Sequence, residues 1–562
     1  MNSIFVTRDN AVASSHARLS LEQILFLGTV ILAGALFWVA PRPPMGDLAQ
    51  HAGQVATLRD LLDGTSPWTN LVYINYFTPY LLGYVIAVTL SFFVPVVVAM
   101  KLSLTLAFYA FMLGCVCLRR RFNADPRLDW LCVPGFFGFS FQFGFFTFLM
   151  AVPVGRFFLV VASRFADAPT RARGAAVVGM GVLAFFSHGL VFAFACATGG
   201  AMVLVTLRGM RRILLASVPY ALLGALALVY MLYVKQHHLV TWTGEPHTGP
   251  NLVWDWTDTS WGWHRSANFL LYVFAVQMKD GYFLLAGVFM LAAPWLMGAK
   301  LNTRTPAAFV PMLAMLVVWL LVPSAALDVE YVYHRFALYL LPAYALMFAS
   351  PEARDAGAKQ GNVRGNTRAP RKRLVARIRP IALIAICWSF FGVVAEREAR
   401  FAAANEPFET LLQMTEPGQR ALSLVYDPAS TIVHNPYTLH GYAQWYEAEQ
   451  QGFVDFSFAY LLPQIVRFKP DHVPAMRPEF SISPERFDWK AVQGRVYRYF
   501  FVHHVKPLPE HMFDNDECHV VLRAEAGDWS LFERLECRPA APAGQSTSAF
   551  VRRRTDAGRS FS

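Results

Sequence analysis

Long apolar runs constrain the fold of this 562-residue chain more than any other feature. The first, LEQILFLGTVILAGALFWVA at residues 21–40, is long enough to cross a hydrocarbon core of about 30 Å. Only 15% of the residues are charged and the mean hydropathy is +0.36, whereas soluble domains carry about 25% charged residues. The sequence therefore predicts a mostly α, polytopic membrane protein.

Hydropathy divides the membrane part into about eleven transmembrane helices. They are expected at 21–40, 94–118, 128–145, 147–165, 174–187, 190–207, 213–234, 282–298, 306–323, 335–349 and 381–395. The segment Tyr76–Phe93 is also apolar, but we expect a short helix there that lies at the outer membrane interface or re-enters the membrane from it, with breaks at Pro79 and Pro95. Lys and Arg are concentrated in alternate loops, most of all at 351–380. By the positive-inside rule, this distribution places the N-terminus in the cytoplasm.

These spans define the expected domains. Residues 1–20 form a cytoplasmic N-terminus, and 21–395 form the transmembrane domain, with a first outer loop at 41–93 and another outer loop at 235–281. Residues 396–537 are more polar and contain short alternating runs, which predict an extracytoplasmic α/β domain. The Pro/Ala/Ser/Arg-rich tail 538–562 is expected to be disordered. The net charge of +11 belongs to the loops and predicts the lipid bilayer, not nucleic acid, as the partner.

Two cysteines fall in the C-terminal domain, Cys518 and Cys537. They flank HVVLRAEAGDWSLFER at 519–534, which has the alternation and the turn residues of a β-hairpin. In an oxidising compartment a disulfide is expected here. It would close a loop of about 20 residues and stabilise the domain by roughly 3 kcal/mol.

The topology gathers polar residues at one membrane face, where ionisable side chains tend to mark functional sites. The candidates are Asp47, His51, His188, Trp254, Trp256, Asp328, Glu330, His334 and Arg335. Each has an alternative role. Asp47 is placed to cap a helix that begins at Leu48, and His188 is placed to bond a backbone carbonyl. Arg335 has the length to snorkel to lipid head groups. The tryptophans suit an interfacial belt or a sugar-stacking surface.

Taken together, several of these features resemble the GT-C superfamily of membrane glycosyltransferases. They are an acid at the start of the first outer loop (Asp47), a histidine at a mid-chain outer turn (His188), a late RF…Y…P segment (335–342) and a soluble C-terminal domain. The resemblance is greatest to the bacterial protein-mannosyltransferase and aminoarabinose-transferase types. It implies a sugar donor linked to polyprenyl phosphate, and transfer at the outer face to an envelope glycan, lipid or protein with inversion at the anomeric carbon.

In the site that the resemblance implies, Asp47, with His51 as helper, acts on the acceptor hydroxyl. Arg335 and His334 hold the donor phosphate, and the other candidates contact substrate. The family often has paired acids in the first loop, whereas Gly46-Asp47-Leu48 supplies one. No cofactor is therefore expected; a divalent cation is not supported by the motif. The histidines of the 235–281 loop also lack a recognised metal-ligand spacing.

Two other functional classes stay open on sequence alone. A transporter or flippase of an envelope lipid or polysaccharide would also be polytopic, although no internal repeat is apparent. A non-catalytic membrane scaffold, whose C-terminal domain binds a glycan or a protein, would have similar features. The leading interpretation is a glycosyltransferase of a bacterial inner membrane with an extracytoplasmic C-terminal domain.

Overall fold

The computed structural model describes residues 20–237, 254–255, 263–277, 280–326, 329–349, 370–474 and 484–539. The first helices are α1 Leu21–Gly34, α2 Leu48–Asp63, α3 Leu81–Ser91, α4 Val96–Arg121, α5 Cys132–Gly135, α6 Phe139–Phe143, α7 Phe146–Asp167, α8 Arg171–Ser187, α9 Gly189–Thr206 and α10 Met210–His237. They are followed by α11 Trp263–Leu271, α12 Gly281–Leu296, α13 Val310–Leu321, α14 Ala337–Leu346, α15 Pro370–Ala404, α16 Glu406–Gln413 and α17 Trp445–Gln450.

In the described part of the chain, five helices are long and apolar enough to cross a membrane. They are Leu21–Trp38, which is α1 with a following 3₁₀ turn, and α4, α7, α9 and α10. Three shorter apolar helices accompany them, at Leu81–Ser91, Gly281–Leu296 and Pro306–Leu321. The mostly helical fold agrees with the sequence prediction, but the number of about eleven spans is not confirmed.

The sequence predicted one transmembrane helix at 128–145, and this prediction is wrong. In place of one helix, the chain forms a 3₁₀ turn at Pro126–Leu131 and the short helices α5 and α6. Pro134 and the glycines at 135, 138 and 144 interrupt helical hydrogen bonding, and Gly144 adopts a left-handed φ of +89°. Nearly every residue of this segment is buried in the protein. Its hydropathy therefore comes from a protein core, not from contact with lipid.

The segment after the first span folds as a separate layer. It contains α2, the strand β1 Val72–Ile74 and α3. With 11 residues, α3 is too short to span a bilayer, in line with the expected short helix. Pro95 then precedes the first turn of α4, where its missing N–H costs no helical hydrogen bond.

The C-terminal domain is built on a five-stranded mixed sheet. Its strands are β6 Arg420–Val425, β7 Phe453–Asp455, β9 Tyr499–His503, β10 Cys518–Ala526 and β11 Trp529–Cys537, in the order β10-β11-β9-β6-β7. Strand β6 pairs in parallel with β7 and β9, whereas β10 and β11 form the predicted hairpin. The disulfide Cys518–Cys537 closes this hairpin.

The domain is joined closely to the membrane part. Strand β8 Val466–Phe468 pairs antiparallel with β1 of the first loop. Helix α15 continues through residue 396, so the chain enters the C-terminal domain within a single helix. One apolar core extends from the helices of the membrane part into the C-terminal sheet. Residues from both parts can therefore meet at one site. Four further short strands, β2 Trp254–Asp255, β3 Lys300–Leu301, β4 Ala325–Ala326 and β5 Phe348–Ala349, pair as β2 with β4 and β3 with β5.

Candidate functional site

Asp47 stands at the N-terminal end of α2 but does not cap it with its side chain. Its backbone has φ −92° and ψ −3°, outside the extended region typical of capping residues, and no side-chain capping bond forms. The backbone N–H of Asp47 donates instead to the carbonyl oxygen of Phe143 at 2.9 Å. The carboxylate is thus not used by its own helix, and the residue is partly exposed.

Arg335 is buried in a 3₁₀ turn at His334–Phe336, with 9% of its surface exposed. Its guanidinium carbon lies 3.6 Å from the centre of the Phe145 ring, and Nη2 donates to the carbonyl oxygen of Glu330 at 2.9 Å. The buried Nε of Arg335 has no hydrogen-bond partner among the described residues. One buried donor of this cation is therefore free for an acceptor.

The charges of Asp47, Arg335 and Glu330 act on one another. Burial raises the pKa of Asp47 from 3.8 to about 7, against the opposing effect of the positive charge of Arg335, and Glu330 raises the pKa further. Asp47 bonds the backbone of Phe143, the ring of Phe143 packs on that of Phe145 at 4.7 Å, and Arg335 packs on Phe145, so the predicted acid and the predicted cation lie in one site. A pKa near 7 suits a general base at neutral pH.

A second free donor comes from His188, between α8 and α9. Its Nδ1 accepts the backbone N–H of Leu190 at 3.2 Å, not a carbonyl bond as the alternative supposed. The neutral ring must then carry its proton on Nε2. This buried Nε2 has no partner in the described part of the chain. Burial lowers the pKa of His188 well below 6.5, and the positive charge of Arg335 lowers it further.

Tyr80 lies between these two donors. Its ring centre is 4.7 Å from that of His188, and its phenol interacts electrostatically with Arg335. Burial raises the pKa of this phenol, so it keeps its proton. Tyr80 was not a candidate from the sequence. The apolar segment Tyr76–Phe93 and Pro79 indicated the position of α3 but not the direction of this side chain.

His51 has a different environment from the one expected for an acid–base partner. Its Nδ1 lies 2.6 Å from the Tyr84 hydroxyl, which donates in turn to the side-chain oxygen of Gln464. Tyr84 therefore accepts from His51, and the neutral imidazole keeps Nε2 as its unprotonated nitrogen. Burial and then Arg335 lower the pKa of His51 to about 3. The described contacts of His51 thus connect α2 to α3 and to the C-terminal domain.

The other predicted residues are distributed differently. His334 stacks on Tyr333 with ring centres 3.9 Å apart and packs against Phe139 and Tyr272, so its ring lies in an aromatic layer. Glu330 is exposed to solvent. Asp328 and Trp256 lie outside the described residues, and Trp254 is described only by its backbone, in β2.

The C-terminal domain also reaches the site. Tyr331 has a left-handed φ of +55°, and its ring lies 4.6 Å from that of Phe143. Tyr437 of the C-terminal domain packs on the same Phe143 ring at 5.8 Å, and burial, followed by the effects of Tyr437 and Asp47, raises the pKa of Tyr331. Neither tyrosine was predicted from the sequence. The left-handed backbone at a tyrosine is not encoded by any local motif.

The arrangement combines two chemical capacities. A partly exposed carboxylate that titrates near pH 7 can accept a proton from a hydroxyl group. Beside it, Arg335 Nε and His188 Nε2 are buried donors that meet no acceptor among the described residues, which favours an anion with several oxygens. Within the described ranges, no three His, Cys, Asp or Glu side chains converge as metal ligands would.

No family model and no curated protein match the chain. Among solved structures, it is similar to the arabinofuranosyltransferase AftD from mycobacteria, with 13% identity and a TM-score of 0.46. That alignment covers 92% of this chain and 42% of the other, so the chain spans less than half the length of that neighbour. It is also similar to ArnT from Cupriavidus metallidurans bound to undecaprenyl phosphate, with 12% identity, a TM-score of 0.46 and coverage of 91% and 97%. Both neighbours belong to the superfamily that the sequence resembles, and similarity at this level assigns no activity to this chain.

Proposed function

We propose that the protein is a membrane glycosyltransferase that moves a sugar from a polyprenyl-phosphate donor to a hydroxyl group of an envelope acceptor. The observation that supports this most directly is the pairing of Asp47, a carboxyl group whose pKa is about 7, with buried donors of Arg335 and His188 that have no partner in the described part of the chain. The carboxylate can accept the proton of an attacking hydroxyl group, and the buried donors can bind the oxygens of a phosphate leaving group. The site is proposed to face the extracytoplasmic side of the inner membrane.

The phosphate is assigned to Arg335, His188 and Tyr80. In the reaction, the bond between the anomeric carbon and the phosphate oxygen breaks, and polyprenyl phosphate leaves with additional negative charge. The fixed cation of Arg335 and the Nε2–H of His188 stabilise that charge in a site from which water is largely excluded. Tyr80 lies beside Arg335 and interacts with it electrostatically, so its phenol is placed to bind the same phosphate.

Asp47 acts on the acceptor. As the acceptor oxygen forms its bond to the anomeric carbon, its proton passes to the carboxylate of Asp47. Attack from the face opposite the phosphate inverts the configuration of the sugar. His51 supports this geometry from the same helix through its bond to Tyr84, and the Tyr331–Tyr437 pair provides a wall for the acceptor.

The first test compares Asp47→Asn with Asp63→Asn, a matched change at an exposed position at the end of the same helix. We expect the Asp47 variant to fold and to lose at least about 100-fold in transfer rate, because a general base contributes roughly that much. The Asp63 variant should transfer normally. The measurement is mass spectrometry of envelope glycans in a deletion strain that expresses each variant.

A second arm separates the transferase from the other two classes. Binding of undecaprenyl phosphate to the purified protein should persist in Asp47→Asn and weaken in Arg335→Gln, because only the latter removes a phosphate ligand. Movement of labelled lipid across proteoliposomes without a new glycosidic bond would indicate a transporter. An unchanged glycan profile in the Asp47→Asn strain would overturn the proposed role of Asp47.

A further inference from the structure

A separate cavity of about 480 Å³ lies where the first loop, the start of α4 and the C-terminal domain meet. Its polar wall contains Arg42, Arg59, Glu409 and Glu449, and its apolar wall contains Pro95 and Val97. Its lining shares no residue with the Asp47 site. Half of its wall is therefore suited to an ionic group and half to hydrocarbon.

The centre of the polar wall is a guanidinium held between two carboxylates. Arg42 is 6% exposed; its Nε and Nη2 donate to Glu449 at 2.8 and 2.6 Å, and Nη2 also donates to Glu409 at 3.0 Å. The three charges sum to −1. Glu409 and Glu449 line the cavity and remain 41% and 28% exposed, so their carboxylates are accessible to a further hydrogen-bond donor. This part of the cavity favours a cation with N–H donors.

Arg59 provides the opposite sign on the same wall. Its Nε donates to Asp60 at 2.9 Å, and the other oxygen of Asp60 accepts from Gln451 at 3.1 Å. A guanidinium has five N–H donors, so Arg59 keeps donors beyond its pair with Asp60. With 26% of its side chain exposed, it can bind an anionic oxygen beside the carboxylates.

The cavity lies at one end of the membrane-spanning helices. The ammonium of Lys101 on α4 donates to the carbonyl oxygen of Ala40, just after the first span, at 2.6 Å. The indole of Trp38 donates to Thr105 of α4 at 3.2 Å, so the end of the first span meets the start of α4. Phe93, just before Pro95, is 81% exposed. Exposed aromatic residues at the ends of apolar helices are typical of the membrane interface.

We propose that this cavity binds the head group of an aminophospholipid, which carries a primary ammonium and a phosphate. The ammonium donates to Glu409 and Glu449, the phosphate accepts from Arg59, and the acyl chains follow the apolar wall at Pro95 and Val97 along α4. A quaternary ammonium has no N–H to donate, and an anionic head group without an amine meets the net negative charge of the Arg42, Glu409 and Glu449 group. The site does not depend on the proposed transferase activity.

The test uses the full-length protein in nanodiscs of equal parts phosphatidylethanolamine, phosphatidylcholine and phosphatidylglycerol. Lipids that remain bound are counted by native mass spectrometry. Wild-type protein should retain phosphatidylethanolamine in preference to the other two. Glu449→Gln and Arg59→Gln should each reduce that retention about fivefold, the upper range for a partly exposed ion pair.

Because Glu449→Gln also changes the pairing of Arg42, a steric variant keeps the test decisive. Val97→Trp fills the apolar wall, leaves the Arg42 bonds in place and should abolish the preference. Glu406→Gln, an exposed change on α16 outside the cavity, should retain it. Equal retention of the three lipids by wild type would overturn the proposal. Unchanged phosphatidylethanolamine retention in Val97→Trp would do the same.

Discussion

At the scale of single residues, the proposed chemistry depends on the protonation of Asp47. Burial raises its pKa from 3.8 to about 7, so the carboxylate is lost as the pH falls through that value. We expect kcat/KM for transfer to decline about tenfold per pH unit on the acidic side. The pH–rate profile of the purified protein measures this.

Two charged residues near Asp47 allow a matched test of the pH–rate profile. The positive charge of Arg335 lowers the pKa of Asp47 and the negative charge of Glu330 raises it. Arg335→Gln should therefore move the acidic limb to higher pH, and Glu330→Gln should move it to lower pH. Shifts in the same direction in both variants would contradict the assignment of this limb to Asp47.

Asp47, Arg335 and His188 are predicted as site residues because each is a polar group at the end of an apolar segment, which is a local signal. Whether Asp47 caps α2 depends on backbone dihedral angles, which the sequence leaves open. Tyr80 and Tyr437 were not among the predicted residues. Their roles arise from contacts with residues far away in the chain, and tyrosine is too common near membrane interfaces to mark a site.

At the scale of elements, local patterns predicted the hairpin of β10 and β11 well. All of its signals lie within one short stretch of the sequence: alternating apolar and polar residues, a turn at EAGD and two flanking cysteines. The span predicted at 128–145 was wrong, because hydropathy does not distinguish burial in protein from exposure to lipid. Its prolines and glycines were the available signal against a continuous span.

The turn that carries Gly144 positions the start of α2. Gly144 has φ +89°, and a Cβ at this position would lie 2.6 Å from the backbone nitrogen of Asp47. Gly64, at the other end of α2, has φ +75° with open space around it. Each Gly→Ala change should cost about 1–2 kcal/mol for the left-handed backbone. Gly144→Ala should in addition displace Asp47.

Thermal unfolding and transfer rate together test this difference. Both variants should unfold at lower temperature, the Gly144 variant more so. Transfer, measured below the unfolding temperature, should fall only in Gly144→Ala. Equal loss of transfer in Gly64→Ala would show that the defect is general destabilisation and not displacement of Asp47.

At the scale of the whole molecule, α2 connects the two parts of the protein. Gln50 bonds the backbone of Phe456 and Phe458, and the side-chain oxygen of Gln54 accepts the backbone N–H of Val466 at 2.9 Å. The sequence predicted a separate C-terminal domain, since composition changes after residue 396. It did not predict that polar residues of a first-loop helix would be buried against that domain.

Glu447 lies within this buried interface and should make its stability depend on pH. Thr57 of α2 donates to the Glu447 carboxyl group at 3.0 Å, and burial raises its pKa from 4.5 to about 8. Because the folded-state pKa is the higher one, the folded protein binds the proton more tightly than the unfolded chain does. The contribution of Glu447 to the free energy of unfolding is therefore fully present below pH 4.5 and is lost as the pH rises towards 8.

The loss should approach about 1.4 kcal/mol per pH unit within that window, less the contributions of other groups. Glu447→Gln keeps a neutral hydrogen-bonding group at the interface, so its unfolding free energy should vary less with pH there. Glu406→Gln, at an exposed position on α16, should keep the wild-type slope. Unfolding followed by tryptophan fluorescence across this range gives both slopes. An unchanged slope in Glu447→Gln would show that protonation of Glu447 does not control the attachment of the C-terminal domain to α2.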